Sequence, residues 1–192
     1  MVTDPIQVAL RVADALESCG VPYLVGGSLA SSFSGEPRST LDVDLVVALE
    51  APQIGPFVAA LGEDFHADQD ALHRAVSQKS RANLLHYATA TKVDLFVVGG
   101  SPVDEEQMDR RERIHVATEP DRYLYFYTPE DILLQKLRWY RLGNEVSDRQ
   151  WRDIRGIVLH QQGALDETYL GRSARILGVG DLLERALRNE GT

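Results

Sequence analysis

The order of segments in this sequence predicts an α+β fold. Strand-like and helix-like runs alternate through about residue 128, and helical patterns alone follow. Two runs rich in apolar and β-branched residues supply the clearest strands, Leu41-Asp42-Val43-Asp44-Leu45-Val46-Val47 and Lys92-Val93-Asp94-Leu95-Phe96-Val97-Val98. A Thr128-Pro129-Glu130-Asp131 signature then opens the helical part, with Thr128 as cap, proline in the first turn and acids after it. The expected organisation is a core over residues 1–128 and a C-terminal helical part over residues 129–192 packed on it.

A first helix is expected from about Asp4 to Ser18, followed by a strand over Pro22-Tyr23-Leu24-Val25 and a short helix over Leu29 to Phe33. The Asp-x-Asp strand runs to Ala48. Helices follow from Pro52 to Leu61 and from Ala67 to Gln78. Asn83 to Ala88 reads as a strand hairpinned through Ala90-Thr91 to the Asp94 strand. Pro102 to Arg113 is polar and helical, and Ile114 to Ala117 and Tyr123 to Tyr127 add short strands. The helix opened by Thr128 continues through Tyr140 to a Gly143-Asn144 stop, and Ser147 caps another that reaches Val158. Gly178 to Asp181 breaks the chain before a last helix, Leu182 to Arg188.

Side chains alternate across a strand, so Asp42 and Asp44 share one face while Val43, Leu45 and Val47 take the other. Two like charges side by side are unfavourable in a buried setting unless a counter-charge neutralises them, and a hard divalent cation does so through carboxylate oxygens, usually with substrate phosphates. On a solvated edge strand no cation is needed, and Asp-x-Asp alone does not separate the two readings. Asp94, a lone acid among apolar residues, is costly unless ligated or placed at the strand's mouth. Three carboxylates around two cations suit in-line displacement at phosphorus. The Gly26-Gly27-Ser28 turn precedes a helix, where glycine backbone and free N–H groups can approach phosphate. Ser28 either donates to the ligand or caps the helix.

A Gly-Gly-Ser turn, an Asp-x-Asp strand and a later lone-Asp strand together resemble the nucleotidyltransferase superfamily of the DNA polymerase β type, over roughly the first 100 residues. The resemblance implies a mixed sheet flanked by helices. It implies that Gly26, Gly27 and Ser28 hold the triphosphate, that Asp42, Asp44 and Asp94 bind two Mg²⁺ or Mn²⁺ ions, and that Asp94 helps activate the attacking hydroxyl. Arg38 and Thr40, just before the Asp-x-Asp, are similar to an Arg and a Thr in small bacterial members. Arg38 either forks onto phosphate or is simply solvated.

The helical part is similar to that of bacterial abortive-infection nucleotidyltransferase toxins, in which a helix lysine and a later helix aspartate complete the site. The matching positions are Lys136 and Asp153. Lys136 lies among Ile132, Leu133, Leu137 and Tyr140, where it either reaches nucleotide phosphate or snorkels to solvent. Asp153 either joins the site or pairs with Arg149 four residues earlier on its helix. Asp131 reads as a carboxylate at a helix start. For the toxin-like group the resemblance also implies a cognate antitoxin protein.

At 192 residues and 44% apolar content the chain can bury a good core. It has no apolar stretch suited to a membrane span and no signal-peptide pattern, and a single Cys19 excludes an internal disulfide, so a cytoplasmic enzyme is expected. The net charge of −9 argues against a long nucleic-acid grip, although Arg138, Arg141, Arg149, Arg152 and Arg155 cluster in the helical part. His66, His73 and His86 lack metal-ligand spacing, and neither a P-loop nor a dinucleotide turn occurs. The expected activity is metal-dependent transfer of a nucleoside monophosphate from a triphosphate such as ATP to a hydroxyl, with release of pyrophosphate. The acceptor stays open among a tRNA 3′ end, a small hydroxylated molecule and a protein. The alternative is a non-catalytic nucleotide- or partner-binding member of a toxin-antitoxin-like system.

Overall fold

The computed structural model describes residues 5–34, 42–118 and 120–188. Its centre is a mixed seven-stranded sheet in the order β3-β4-β5-β2-β1-β7-β6. The strands are β1 (Tyr23–Val25), β2 (Val43–Val47), β3 (Phe65–Ala67), β4 (Arg81–His86), β5 (Thr91–Val97), β6 (Glu112–Thr118) and β7 (Asp121–Phe126). β2 runs parallel to β5 and β1 parallel to β7, and the remaining neighbours are antiparallel. The Asp-x-Asp strand β2 is therefore interior to the sheet, which removes the edge-strand reading. Its alternation is as expected, with Val43, Leu45 and Val47 fully buried.

The helices are α1 (Pro5–Ser18), α2 (Gly27–Ser34), α3 (Ile54–Leu61), α4 (Gln69–Gln78), α5 (Pro102–Arg110), α6 (Pro129–Leu142), α7 (Asp148–His160), α8 (Glu167–Ile176) and α9 (Gly180–Leu187). α1 packs on α3, and α4 packs on β4 and β5. α2 leads from β1 to the helical part, touching β2, α6 and α7. The caps are those the sequence announces: Thr128 accepts from Asp131 N at 3.2 Å and Ser147 from Gln150 N at 3.3 Å. None of the described helices is long and apolar enough to cross a membrane.

Several boundaries move. α4 starts at Gln69 because Asp68 caps it, accepting from Ala71 N at 3.1 Å. α5 stops at Arg110, where Arg111 turns extended and feeds β6. Two elements were not expected. β3 has three residues, too few to show a period, and is held by pairing with β4. α8 carries a polar surface and an internal Gly171, yet Tyr169, Leu170, Ser173 and Ala174 are buried against its neighbours.

Asp131 does more than sit near a helix start. It is completely buried, with its two oxygens accepting from Tyr169 Oη at 2.5 Å and Thr128 Oγ1 at 3.0 Å. Burial raises its pKa above the usual carboxylate range, against the opposing effect of these donors and Arg110. It ties α6 to α8. Cys19 packs part-buried against the core. His86 bonds to Arg11 and Thr89, a structural role.

Candidate active site

The parallel pairing of β2 and β5 sets Asp44 opposite Asp94, so two strands distant in sequence bring two carboxylates side by side on one face. Asp94 is 8% exposed. Lys92, two residues earlier on the same face, lies 2.9 Å from both its oxygens, but the hydrogen-bond geometry is met only at Oδ2. Oδ1 is buried without a hydrogen-bond partner among the described residues. Asp44 is half-buried, and its pKa is raised by that burial first, then by Asp94 and by Asp42, with Lys136 and Lys92 opposing. Asp42 stands exposed just before β2. Its charge reaches Asp44, but it does not line the cleft.

The Gly26-Gly27-Ser28 turn closes on the same spot. Gly26 N donates to Asp44 O at 2.9 Å, fastening the turn to β2. Gly27 has φ +57°, and a Cβ there would run into the Asp44 carboxylate. Glycine is required twice over, for its backbone angle and for the space that Asp44 fills. Gly27 also opens α2, and the first N–H groups of a helix have no partner within it.

α6 supplies the opposite wall. Lys136 is 8% exposed and does not snorkel to solvent, because Nζ donates to Asp153 Oδ2 on α7 at 2.7 Å. The sequence-predicted pair is thus joined, although Asp153 itself is not among the cleft-lining residues. Gly26, Gly27, Ser28, Asp44, Asp94 and Lys136 line one cleft of about 620 Å³. Arg38 and Thr40 lie outside the described residues.

Several residues in or beside this cleft were not singled out from the sequence. Lys92, which bonds to Asp94 without lining the cleft, was visible as the residue two before it, the spacing that puts a counter-charge on the same face. Phe96, Trp139, Lys79 and Arg81 line the cleft's outer half, and Asp104 pairs across it with Arg138 at 3.3 Å. Nothing local marks these residues, since they converge only through sheet order and the seating of α6.

The donor set suits a hard divalent cation. Two carboxylates stand in register, the charge of a third reaches Asp44, and one buried oxygen accepts no hydrogen bond among the described residues. Among the described residues no group of three or more His, Cys, Asp or Glu side chains is already gathered closely enough to hold a metal ion.

No family model and no curated protein matches the sequence. Solved structures do. The chain is similar to an antigenic nucleotidyltransferase-like protein from Paracoccidioides brasiliensis, at a TM-score of 0.52 and 18% identity over 99% of this chain and 95% of that one. It is similar to the antibiotic-resistance factor ANT(2'')-Ia, at a TM-score of 0.54 and 16% identity over 98% of this chain and 100% of that one. The same factor in complex with adenylyl-2''-tobramycin gives a TM-score of 0.55 and 11% identity over 92% and 98%. At these identities the likeness establishes the fold, which is the nucleotidyltransferase fold.

Proposed function

We propose that the protein is a divalent-metal-dependent nucleotidyltransferase, moving a nucleoside monophosphate from a nucleoside triphosphate to an acceptor hydroxyl. The observation that carries this reading is the register pairing of Asp44 with Asp94 beside the Gly26-Gly27-Ser28 turn in one cleft. Residues 1–128 are read as the catalytic core, to which residues 129–192 contribute Lys136 and Asp153.

Each residue then has a task. The turn and the start of α2 receive the triphosphate, whose oxygens accept from backbone N–H groups. Lys136 adds a positive charge for the phosphates and is oriented by Asp153. Arg38 and Thr40 are assigned to the donor side by their place before Asp42. Asp42, Asp44 and Asp94 would hold magnesium or manganese, which when bound neutralises charge on the transferring and leaving phosphates. The acceptor oxygen bonds to the α-phosphorus, the bond to the bridging oxygen breaks, and pyrophosphate leaves with the electron pair. Asp94 takes the hydroxyl proton through Oδ1, which accepts no hydrogen bond although Lys92 Nζ lies 2.9 Å away. Lys92, against Oδ2, fixes the carboxylate's orientation.

One fold neighbour is bound to adenylyl-2''-tobramycin, a nucleotidyl group joined to a small hydroxylated molecule, which supports transfer to a hydroxyl as the reaction class. The test is label transfer from α-phosphate-labelled triphosphates to extracted acceptor pools. Wild type is expected to transfer, and Asp44→Asn to fall by at least a hundredfold while remaining folded. Equal transfer by both proteins would overturn the assignment.

A further inference from the structure

The cleft changes character along its length. On the sheet wall Asp44 pairs with Asp94, and two residues on Val46 pairs with Phe96 on the same face. α6 repeats the order, with Lys136 followed one turn later by Trp139. Trp139 is 50% exposed, and its ring meets Phe96 edge to face at 6.0 Å. A molecule lying in the cleft therefore meets charge at one end and a flat apolar wall at the other.

Two exposed cations line the apolar end. Arg81 opens β4 directly opposite Phe96, and it alternates with buried Ala82, so it shares the face of Phe96 and Asp94. Lys79 ends α4 two residues before it. Both line the cleft, and neither has an acidic partner among the described residues. Among the described residues the lining carboxylates are mostly engaged, Asp94 by Lys92 and Asp104 by Arg138, which leaves Asp44 for an incoming ammonium group. A polycationic acceptor finds little here to bind it, whereas an anion with a planar ring finds both partners.

We propose that the outer half of the cleft is the acceptor subsite and that it takes a nucleotide-like acceptor. The acceptor's ring stacks on Trp139, its phosphate sits between Lys79 and Arg81, and its sugar hydroxyl reaches Asp94, about 7 Å along β5 from Phe96. This rests on the transfer chemistry above, with the same bonds formed and broken and the hydroxyl proton passing to Asp94. A free mononucleotide or the end of a single-stranded oligonucleotide can present this chemistry.

The test is fluorescence anisotropy of a labelled single-stranded RNA pentamer over a range of salt. The proteins are wild type, Lys79→Gln/Arg81→Gln, Trp139→Ala and Arg175→Gln, the last changing an exposed arginine on α8 that does not line the cleft. The double variant is expected to weaken binding at least tenfold and to flatten the log–log salt slope by about 1.4, the share of two phosphate contacts on a single strand. Trp139→Ala is expected to weaken it roughly 5- to 150-fold, the range of one base–aromatic stack. Arg175→Gln should match wild type. Displacement of the pentamer by adenosine monophosphate supports a free nucleotide as sufficient, and binding of the pentamer alone supports an oligonucleotide end. Unchanged affinity and slope in the double variant, or tobramycin binding tighter than either nucleotide probe, overturns the proposal. Titration of wild type with ATP and Mg²⁺ separates the two readings. If the triphosphate binds and the acceptor arm fails, only the subsite falls; if the triphosphate does not bind, the transfer chemistry falls with it.

Discussion

Gly27→Ala probes the contact between the glycine turn and Asp44 with one added carbon. Two effects act at that position and can be separated. The first is backbone strain: φ is +57°, and an L residue in the left-handed region costs roughly 1–2 kcal/mol. For a chain of this size that lowers Tm by about 2–8 °C. The second is steric, because the new Cβ would occupy the space of the Asp44 carboxylate, which has to move. A displacement near 1 Å at a reacting centre costs about a hundredfold in rate. Gly20 provides the control, with φ +64° and nothing within 4 Å of its own added Cβ. Gly20→Ala should therefore lose the same few degrees with no loss of transfer. The assay is a thermal melt beside the label-transfer rate for both variants. Transfer at the wild-type rate by Gly27→Ala, or an equal loss of rate in Gly20→Ala, would show that the close approach of Gly27 to Asp44 does not set the site's geometry.

Other perturbations give further outcomes. The pKa of Asp44 is raised in the folded state, so over the range between its unfolded and folded values the native protein binds more protons, and metal-free stability falls as pH rises through it. Asp44→Asn should thus melt higher than wild type at pH 7 without metal and lose that advantage near pH 3, as scanning calorimetry at the two pH values would reveal. Lys136→Met removes the ammonium that donates to Asp153, whose side chain is 13% exposed, and should cost about 1.5–3 kcal/mol in urea unfolding, the worth of a hydrogen bond to a charged group. With Asp153→Leu the two losses should be less than additive, and additive losses in the double-mutant cycle would show that the pair is not coupled. Tyr169→Phe removes one of the two hydroxyl donors to fully buried Asp131 and should destabilise by about 2 kcal/mol. A change under 0.5 kcal/mol would mean that Asp131 is neutral and satisfied without Tyr169.

The divide between legible and illegible features follows the range of the interactions. Period-two alternation, local to a strand, marked Val43, Leu45 and Val47 as core and set Asp42 and Asp44 against them. Cap chemistry, local to four residues, marked Thr128 and Ser147. The register that opposes Asp44 to Asp94 is not local, because it depends on β2 and β5 pairing in parallel across some fifty residues. The same holds for Lys136 and Asp153, each of which had a bland explanation on its own helix until α6 and α7 were seen to pack. Asp131 shows the limit most plainly, since its burial is owed to α8, whose polar sequence gave no helical signal, and to Tyr169, thirty-eight residues away.

The clustered aspartates and the glycine turn are expected to bind a metal-loaded triphosphate. Isothermal titration of ATP, GTP, CTP and UTP, with Mg²⁺ and then with chelator, on wild type and Asp42→Asn/Asp44→Asn tests it most directly. Binding of at least one triphosphate that requires both Mg²⁺ and the aspartates is the predicted result. Binding unaffected by chelator and by the double substitution, or no binding of any triphosphate, would contradict it.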